Sequence, residues 1–174
     1  MAWVYDGDSL RLEDGRKLRL IGIDTPELGR DGAPDRPGAE VARARLQRLL
    51  DAQEGRVLLR AGREARDRYG RWLVHLYRPD GRNLARMLLA EGLGFAVAVP
   101  PNLRHLNCYF DAEARAQAAR LGLWRGDPAV QAVDLPANAE GFHLVQGRIQ
   151  RVGNSRRALW LNLHGGVALR VDRA

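Results

Sequence analysis

The first 25 residues alternate between hydrophobic and polar positions, which is the pattern of β-strands with one buried face. The alternation covers residues 2–5, 9–13 and 17–23. An Asp-Gly-Asp turn separates the first two segments, and an Asp-Gly turn separates the second from the third. Because tight turns favour Asp and Gly, the pattern predicts a short β-meander at the start of the chain.

Three later segments have apolar residues three or four positions apart, which predicts amphipathic helices. They cover residues 38–52, 83–91 and 103–121. In the first helix the predicted buried stripe is Val41, Ala42, Leu46, Leu49 and Leu50. Further strands are predicted over residues 56–61, 71–78 and 93–99. Strands that surround a few helices predict an α+β fold, mainly β, arranged as a small closed barrel.

The composition changes after Trp124, where residues 126–141 are rich in Asp, Pro and Ala and are predicted to be a linker. Alternation returns in three segments, residues 142–152, 158–164 and 167–171. We therefore predict a domain over residues 1–125 and a β-meander within residues 142–174. A meander of this size is too small to bury its own core. It packs on the first domain, pairs with another chain, or belongs to a truncated OB-like module.

The charge balance favours an anionic partner. The 174 residues include 28 Lys and Arg against 21 Asp and Glu, a net charge of +7, and such a basic chain attracts nucleic acids. Lys17 is the only lysine. This excess of arginine is typical of a GC-rich genome, although arginine also suits bidentate contact with phosphate. Cys108 is the only cysteine, so no internal disulfide can form, and no apolar run is long enough to span a bilayer.

Oxygen ligands for a metal ion are concentrated near the start of the chain. Asp6 and Asp8 lie two residues apart, and Asp24 follows the third predicted strand. Calcium and similar hard cations bind carboxylates, so Asp8, Asp24 and the backbone carbonyl of Thr25 are the predicted ligands. We expect Asp6 behind them, in contact with the ligands rather than with the ion. The alternative is that Asp-Gly-Asp serves only as a tight turn.

Two arginines and a glutamate complete the predicted site. Arg19 and Arg71 are the candidate phosphate clamps, because guanidinium groups match the phosphoryl oxygens on which charge builds during hydrolysis. Glu27 is the candidate general base for the attacking water. Strict alternation places Arg19 and Asp24 on opposite faces of a strand, so a bulge or bend near Gly22 is required to bring them together. Taken singly, each side chain could also be an ordinary solvated surface group.

Three motifs together resemble the staphylococcal nuclease (thermonuclease) family. They are Asp6-Gly7-Asp8-Ser9, the strand from Arg19 that ends in Asp24-Thr25-Pro26-Glu27, and the later Asp67-Arg68-Tyr69-Gly70-Arg71. They occur in the family's order and spacing, and the similarity extends over residues 2–125. The resemblance implies a five-stranded OB-type barrel with three helices packed on it. Such barrels present one face and its loops to nucleic acid.

The resemblance also implies an activity. With calcium at the predicted ligands we expect a nuclease that cleaves DNA, and RNA as well, with low sequence specificity because its contacts read phosphates. The resemblance implies that cleavage leaves 3′-phosphate ends. Arg68 and Tyr69 match positions that lie beside a terminal phosphate of the bound nucleotide. A secreted, periplasmic or cell-envelope location is implied too, and we expect an export or anchor segment to have been removed before Met1. The oligomeric state stays open, with the C-terminal meander as a candidate contact surface.

One part of the family pattern is missing. Family members stack a nucleotide base on a Tyr-x-Tyr pair, and Val97 and Val99 stand at the aligned positions here. Because stacking contributes about 1–3 kcal/mol per base, we expect weaker contacts with the base. The four histidines are scattered and predict no metal site. Two alternatives remain: a non-catalytic nucleic-acid-binding module of the same fold, and a protein-interaction module that recruits a partner through its meander.

Overall fold

The computed structural model describes residues 3–29, 32–139 and 141–173 of the chain. They divide into two units, Met1–Gly126 and Asp127–Ala174, and each unit has its own sheets. Ala2 of the first predicted strand and Ala174 of the predicted meander lie outside the described residues. Every helix among the described residues is too short or too polar to span a bilayer.

The first unit consists mainly of β-strands with three α-helices, which confirms the predicted class. Its strands are β1 (Trp3–Val4), β2 (Ser9–Arg11), β3 (Lys17–Leu20), β4 (Ile23–Asp24), β5 (Leu58–Arg66), β6 (Trp72–Tyr77) and β7 (Phe95–Ala96). Its helices are α1 (Ala39–Asp51), α2 (Leu84–Ala90) and α3 (Leu106–Ala118), followed by a 3-10 turn at Gly122–Arg125. Each helix lies inside the segment that its spacing predicts and is slightly shorter at both ends.

Five of the strands form one sheet in the order β1-β2-β3-β6-β5. The first three make an antiparallel meander, β3 pairs in parallel with β6, and β6 pairs antiparallel with β5. β4 and β7 form a separate antiparallel ribbon. No pairing joins β1 to β5 among the described residues, so the hydrogen bonding is that of an open sheet and not of the closed barrel that the strand pattern predicts. Strand β5 continues to Arg66, beyond the predicted end at residue 61, because its second half lacks the apolar alternation that would reveal it.

The core is formed by the sheet together with all three helices. α1 buries Ala42, Leu46, Leu49 and Leu50, as its spacing predicts. Val41 is an exception and is 55% exposed, because it lies about 100° around the helix from Ala42. Full burial of one leucine contributes about 1.5–3 kcal/mol, so this packing fixes the strands that carry the site.

The chain bends sharply at Gly22, between β3 and β4. Gly22 has φ +84°, a left-handed conformation that glycine adopts without strain. A Cβ atom at this position would lie 2.2 Å from the Tyr109 ring, so the bend also packs directly on α3. The predicted bend is therefore present, and it turns Asp24 to the same side as Arg19.

The second unit begins with β8 (Val130–Gln131), which pairs in parallel with β9 (Val145–Gln146). Its main sheet is an antiparallel meander of β10 (Ile149–Asn154), β11 (Ala158–Leu163) and β12 (Ala168–Asp172). Ala158 and Leu163 are buried, whereas most side chains of β10 and β12 are exposed. Three strands of this length bury little apolar area by themselves.

We expect Gly22→Ala to lower the free energy of unfolding by about 2–5 kcal/mol, because left-handed strain adds to overpacking against the Tyr109 ring. The matched control is Gly15→Ala. Gly15 has φ +87° but has no atom within 4 Å of its Cβ position, so only the strain of about 1–2 kcal/mol remains. Urea unfolding of both variants measures the difference, and equal losses would contradict the close packing at Gly22.

Candidate active site

Asp8 stands in the turn between β1 and β2 and is 4% exposed. Its Oδ2 accepts hydrogen bonds from the backbone N–H of Thr25 at 2.7 Å and from the Thr25 hydroxyl at 3.0 Å. The Nη1 atom of Arg19 lies 2.8 Å from the same oxygen. The Ser9 hydroxyl donates to Oδ1 at 2.9 Å. Neighbours on β2, on β3 and after β4 therefore fix both oxygens of this carboxylate.

The Asp-Gly-Asp turn approaches the rest of the site through Gly7. A Cβ atom on Gly7 would lie 2.7 Å from Cβ of Ala42 on α1 and 2.8 Å from Cγ2 of Thr25. Real Cβ atoms do not come this close to carbon, so only glycine lets the turn pack against both neighbours. The turn interpretation and the ligand interpretation of this motif are thus compatible, because the turn places Asp8 at the site.

Arg19 connects the two predicted metal ligands. Its Nη2 donates to Oδ1 of Asp24 at 2.6 Å, and its Nη1 reaches Asp8 and also donates to the Ile23 carbonyl at 2.8 Å. The Arg19 side chain is only 16% exposed, so these contacts are largely shielded from water. The structure therefore brings Arg19, Asp8 and Asp24 together in one pair of ion contacts.

The cluster holds more negative charge than Arg19 balances. Asp6 is 6% exposed, and burial, reinforced by the charge of Asp8, raises its pKa to about 7. Burial also raises the pKa of Asp24 to about 6; Arg19 opposes this shift, while Asp8 and Glu27 add to it. Asp6 accepts a hydrogen bond from the Asp8 backbone N–H at 3.1 Å, which places it behind Asp8. Additional positive charge at the cluster would be favourable.

The donors of this cluster suit a hard divalent cation. Asp8 and Asp24 supply carboxylate oxygens and Thr25 supplies a nearby backbone carbonyl, which is the ligand chemistry of calcium. A positive group, the Arg19 guanidinium, already stands between the two carboxylates. In the described part of the chain, no group of three or more His, Cys, Asp or Glu side chains is arranged to hold a metal ion. A cation here would depend on two carboxylates and take its other ligands from backbone, water or substrate.

Arg71 reaches the cluster from the turn before β6. Oδ2 of Asp67 accepts a hydrogen bond from the Arg71 Nε at 2.7 Å, and Nη1 lies 3.5 Å from the Ser9 hydroxyl, which itself bonds Asp8. Burial alone would raise the pKa of Asp67, but the hydrogen bonds from Arg71 outweigh it and lower the pKa. Sequence reasoning assigned no role to Ser9 or Asp67, although both belong to the motifs that it identified.

Arg68 and Tyr69 lie on the same turn but point outward. Tyr69 is 66% exposed, and its hydroxyl accepts a hydrogen bond from Arg68 Nη2 at 2.6 Å. The guanidinium groups of Arg68 and Arg71 lie 4.8 and 5.5 Å from the centre of the Tyr69 ring. The two predicted phosphate-binding residues are therefore adjacent to Arg71 and open to solvent.

Glu27 is exposed and lies near Asp24, whose pKa its charge helps to raise. Its backbone carbonyl accepts a hydrogen bond from the Arg36 N–H at 3.1 Å. Arg36 also acts electrostatically on Asp24 and lowers its pKa, so a third arginine is close to the site. Sequence reasoning missed Arg36, because nothing in the local sequence shows that its loop folds back on Glu27.

The sequence lacks the stacking tyrosines of the family and predicts no histidine metal site, and both points concern other parts of the first unit. Val99 is 63% exposed and Val97 is half-buried after β7, so no aromatic surface stands at these positions. His75 and His105 do come together, with ring centres 5.2 Å apart. They bind Tyr109 and Tyr77 respectively, and neither joins a carboxylate or cysteine in a metal-ligand group among the described residues.

Comparison with known proteins places the chain among nucleases. The family described as staphylococcal nuclease homologue matches residues 17–126. The chain is 35% identical to a thermonuclease of Staphylococcus intermedius over 124 residues, 70% of this chain and 72% of that protein. It is 31% identical to an uncharacterized endonuclease of Escherichia coli O157:H7, with the same coverage. It is also 33% identical to the succinoglycan biosynthesis protein ExoI of Rhizobium meliloti, over 73% of this chain and 64% of that protein.

Asp6 makes stability depend on pH. Its pKa is about 7 in the folded chain against 3.8 for a free Asp, so the folded chain binds more protons between about pH 4 and 7 and loses stability as pH rises through this window. We expect Asp6→Asn to remove this loss and to raise the free energy of unfolding at pH 8 by up to about 4 kcal/mol. Urea unfolding at pH 5 and pH 8, with chelator present, measures the gain.

The matched control for this prediction is Asp14→Asn. Asp14 is exposed, and hydrogen bonds from Arg16 lower its pKa, so its replacement should bring no gain at pH 8. For Asp6→Asn, an unchanged free energy of unfolding at pH 8, or an equal rise at pH 5 and pH 8, would give the opposite answer. Either result would contradict the claim that an ionised, buried Asp6 destabilises the fold at pH 8.

Proposed function

This chain belongs to the staphylococcal nuclease family and is a nuclease, and on that premise we propose that it hydrolyses phosphodiester bonds of DNA and RNA with calcium and leaves 3′-phosphate ends. One observation carries the proposal. A continuous series of contacts runs through the site, in the order Asp67, Arg71, Ser9, Asp8, Arg19 and Asp24. Two guanidinium groups and three carboxylates thus belong to a single connected cluster.

Arg19 and Arg71 are the proposed phosphate clamps. Arg19 uses Nη1 and Nη2 for protein oxygens, and its Nε–H has no acceptor among the described residues, which leaves it for a phosphoryl oxygen. Arg71 is held in place by Asp67 through Nε. Both groups are fixed before substrate arrives. They can therefore stabilise charge as it develops on the phosphoryl oxygens without further reorganisation.

Glu27 is the proposed general base. Its carboxylate is exposed beside Asp24, so a water molecule can reach it. Glu27 accepts the proton of this water as the water oxygen attacks phosphorus in line with the leaving group. The bond between phosphorus and the 5′ oxygen breaks, and the departing oxygen takes up a proton from solvent water. This leaves a 5′-hydroxyl on one fragment and a 3′-phosphate on the other.

Asp8, Asp24 and the Thr25 carbonyl are the proposed ligands of the calcium ion, with Asp6 supporting Asp8 from behind. When bound, the ion would offset the surplus carboxylate charge, neutralise phosphate charge and acidify a water molecule. With only two carboxylate ligands, the affinity for the ion should be low. The raised pKa of Asp6 and of Asp24, caused chiefly by burial, supports a site in which added positive charge is welcome.

Low sequence specificity follows from the groups that meet the substrate. Arginine contacts to phosphate position a nucleic acid without reading its bases. Arg68 and Tyr69, exposed beside Arg71, are proposed to bind a terminal phosphate. With Val97 and Val99 in place of stacking aromatics, base contacts contribute less to binding.

Two broader points belong to the same proposal. The five-stranded sheet is proposed to be the OB-type barrel of the family, with residues 1–125 as the nuclease domain, 126–141 as a linker and 142–174 as an accessory meander. A secreted, periplasmic or cell-envelope location is proposed from the family resemblance.

We expect plasmid DNA and RNA to be digested with calcium, much less with magnesium, and not with chelator. Arg19→Ala and Glu27→Ala should each lower kcat at least about 100-fold, because each removes a group that acts on the transition state. Gel assays give the rates, and mass spectrometry of the products should show 3′-phosphate ends. Arg86→Ala is the matched control, since Arg86 is exposed on α2 and should leave the rate unchanged.

The outcome also separates the rival interpretations. Equal cleavage by wild type and both site variants would show that the site is assigned wrongly. Binding of nucleic acid without cleavage under any metal condition would favour the non-catalytic module instead.

We expect a chain that ends at residue 125 to keep its nuclease activity within about 2-fold, because every proposed site residue lies in the first unit. Its Tm and oligomeric state are measured beside those of the full chain. Loss of activity with the fold retained would show that the meander contributes to the site, and a change of oligomeric state would favour the interaction interpretation.

A further inference from the structure

A cationic cavity lies in the first unit, and none of the residues that line it belongs to the proposed active site. It has a volume of about 290 Å³ and is bounded by β5 and by the segment before α3. Arg60 and Arg63 line it from β5, and Arg104 lines it from the opposite segment. No acidic residue lines this cavity. Three arginines therefore line one concave site, which is an arrangement suited to an anion.

The fold holds the walls of this cavity in place. The Asn102 side chain pairs with the backbone of Glu64, accepting from its N–H and donating to its carbonyl, each at 3.0 Å. A Cβ atom on Gly62 would lie 2.7 Å from Oδ1 of Asn102, so strand and segment touch directly. These contacts fix the distance between β5, which carries Arg63, and the segment that carries Arg104.

His75 forms the floor of the cavity and is 2% exposed. Its Nδ1 lies 2.9 Å from the Tyr109 hydroxyl. Burial, together with the positive charges of His105, Arg104 and Arg60, lowers the pKa of His75 to about 4. The floor is therefore uncharged at neutral pH, and the positive potential of the cavity comes from the arginines.

These three arginines differ from those that serve the structure. Arg43, Arg45 and Arg82 each have a carboxylate oxygen at 2.6 Å. Among the described residues, no carboxylate lies within ion-pair distance of Arg60, Arg63 or Arg104. All three arginines are exposed, so an anion can reach them from solvent. Planar guanidinium groups bind phosphate well, and several of them at one place add to its binding.

We propose that this cavity binds a phosphate group of the nucleic-acid strand, several nucleotides from the scissile bond. The proposal rests on the proposed nuclease function and adds a subsite to it. β5 connects the two places: it starts beside the cavity and leads into the turn that carries Arg71. From Arg60 to Arg66 the strand spans about 20 Å, which is several nucleotides of an extended strand. Longer substrates should therefore bind more tightly than short ones.

The test measures binding and cleavage separately. With chelator present to stop cleavage, a fluorescent single-stranded 16-mer is titrated with wild type, Arg63→Ala, Arg104→Ala and the double variant at several salt concentrations. We expect each single change to weaken binding about 3–10-fold. The plot of the logarithm of the association constant against the logarithm of the salt concentration should become less steep by about 0.7, the value for one lost phosphate contact. Arg104→Lys should keep most of the affinity.

Two controls make the result specific. Arg48→Ala removes the same charge from the exposed side of α1 and should change the slope less than either cavity variant. With calcium, a single-nucleotide nitrophenyl phosphodiester should be cleaved equally by wild type and both cavity variants, while kcat/KM on the 16-mer falls about 3–10-fold.

An unchanged slope and affinity in the double variant, with Tm preserved, would overturn the subsite. So would an equal effect of Arg48→Ala, which would mean that only net charge matters. Failure of wild type to cleave any substrate would instead overturn the proposed function, and the binding series with chelator would still decide whether the cavity holds phosphate.

Discussion

The site depends on one ionic contact, in which the Arg19 guanidinium stands between Asp8 and Asp24. Asp8 comes from the turn before β2, Arg19 from β3 and Asp24 from β4, so the contact joins three successive pieces of the chain. It requires the bend at Gly22 and the close approach at Gly7. Removing one partner of a shielded ion pair leaves a charge without compensation, at about 3–5 kcal/mol. The same side chains therefore serve both the fold and the chemistry.

The buried carboxylates of this site lower the free energy of unfolding when they are ionised. The raised pKa values of Asp6 and Asp24 mean that the folded chain loses stability as pH rises from about 4 to 7. His75 acts in the opposite direction: its pKa of about 4 lies below the usual 6.5, so stability is lost as pH falls through that interval. A ligand that neutralises the carboxylates adds its binding free energy to folding. Such a site is expected where carboxylates are kept for a cation rather than for the fold.

The sequence predicted those features that depend on neighbouring residues alone. Helical spacing located all three helices, and the need for a bend near Gly22 followed from strand alternation alone. The exposure of Val41 and the full length of β5 were not predicted, because they depend on which faces tertiary packing covers. The link between Ser9 and Arg71 also escaped prediction, since a hydrogen bond between residues 62 positions apart leaves no local pattern. The contact between Asp67 and Arg71 is local and lies within one motif, but the residue types alone do not show that the two side chains pair.

The positions of the arginines in the fold indicate which of them have a structural role and which are available to bind an anion. A net charge of +7 carried almost wholly by arginine fits a GC-rich genome, and composition cannot distinguish that origin from function. Position can. Arg45 and Arg82 are matched with carboxylates and stabilise the surface, whereas Arg60, Arg63 and Arg104 share a cavity without one. Because these exposed like charges have no carboxylate among them, their arrangement is complementary to a polyanion, which is the basis of the proposed subsite.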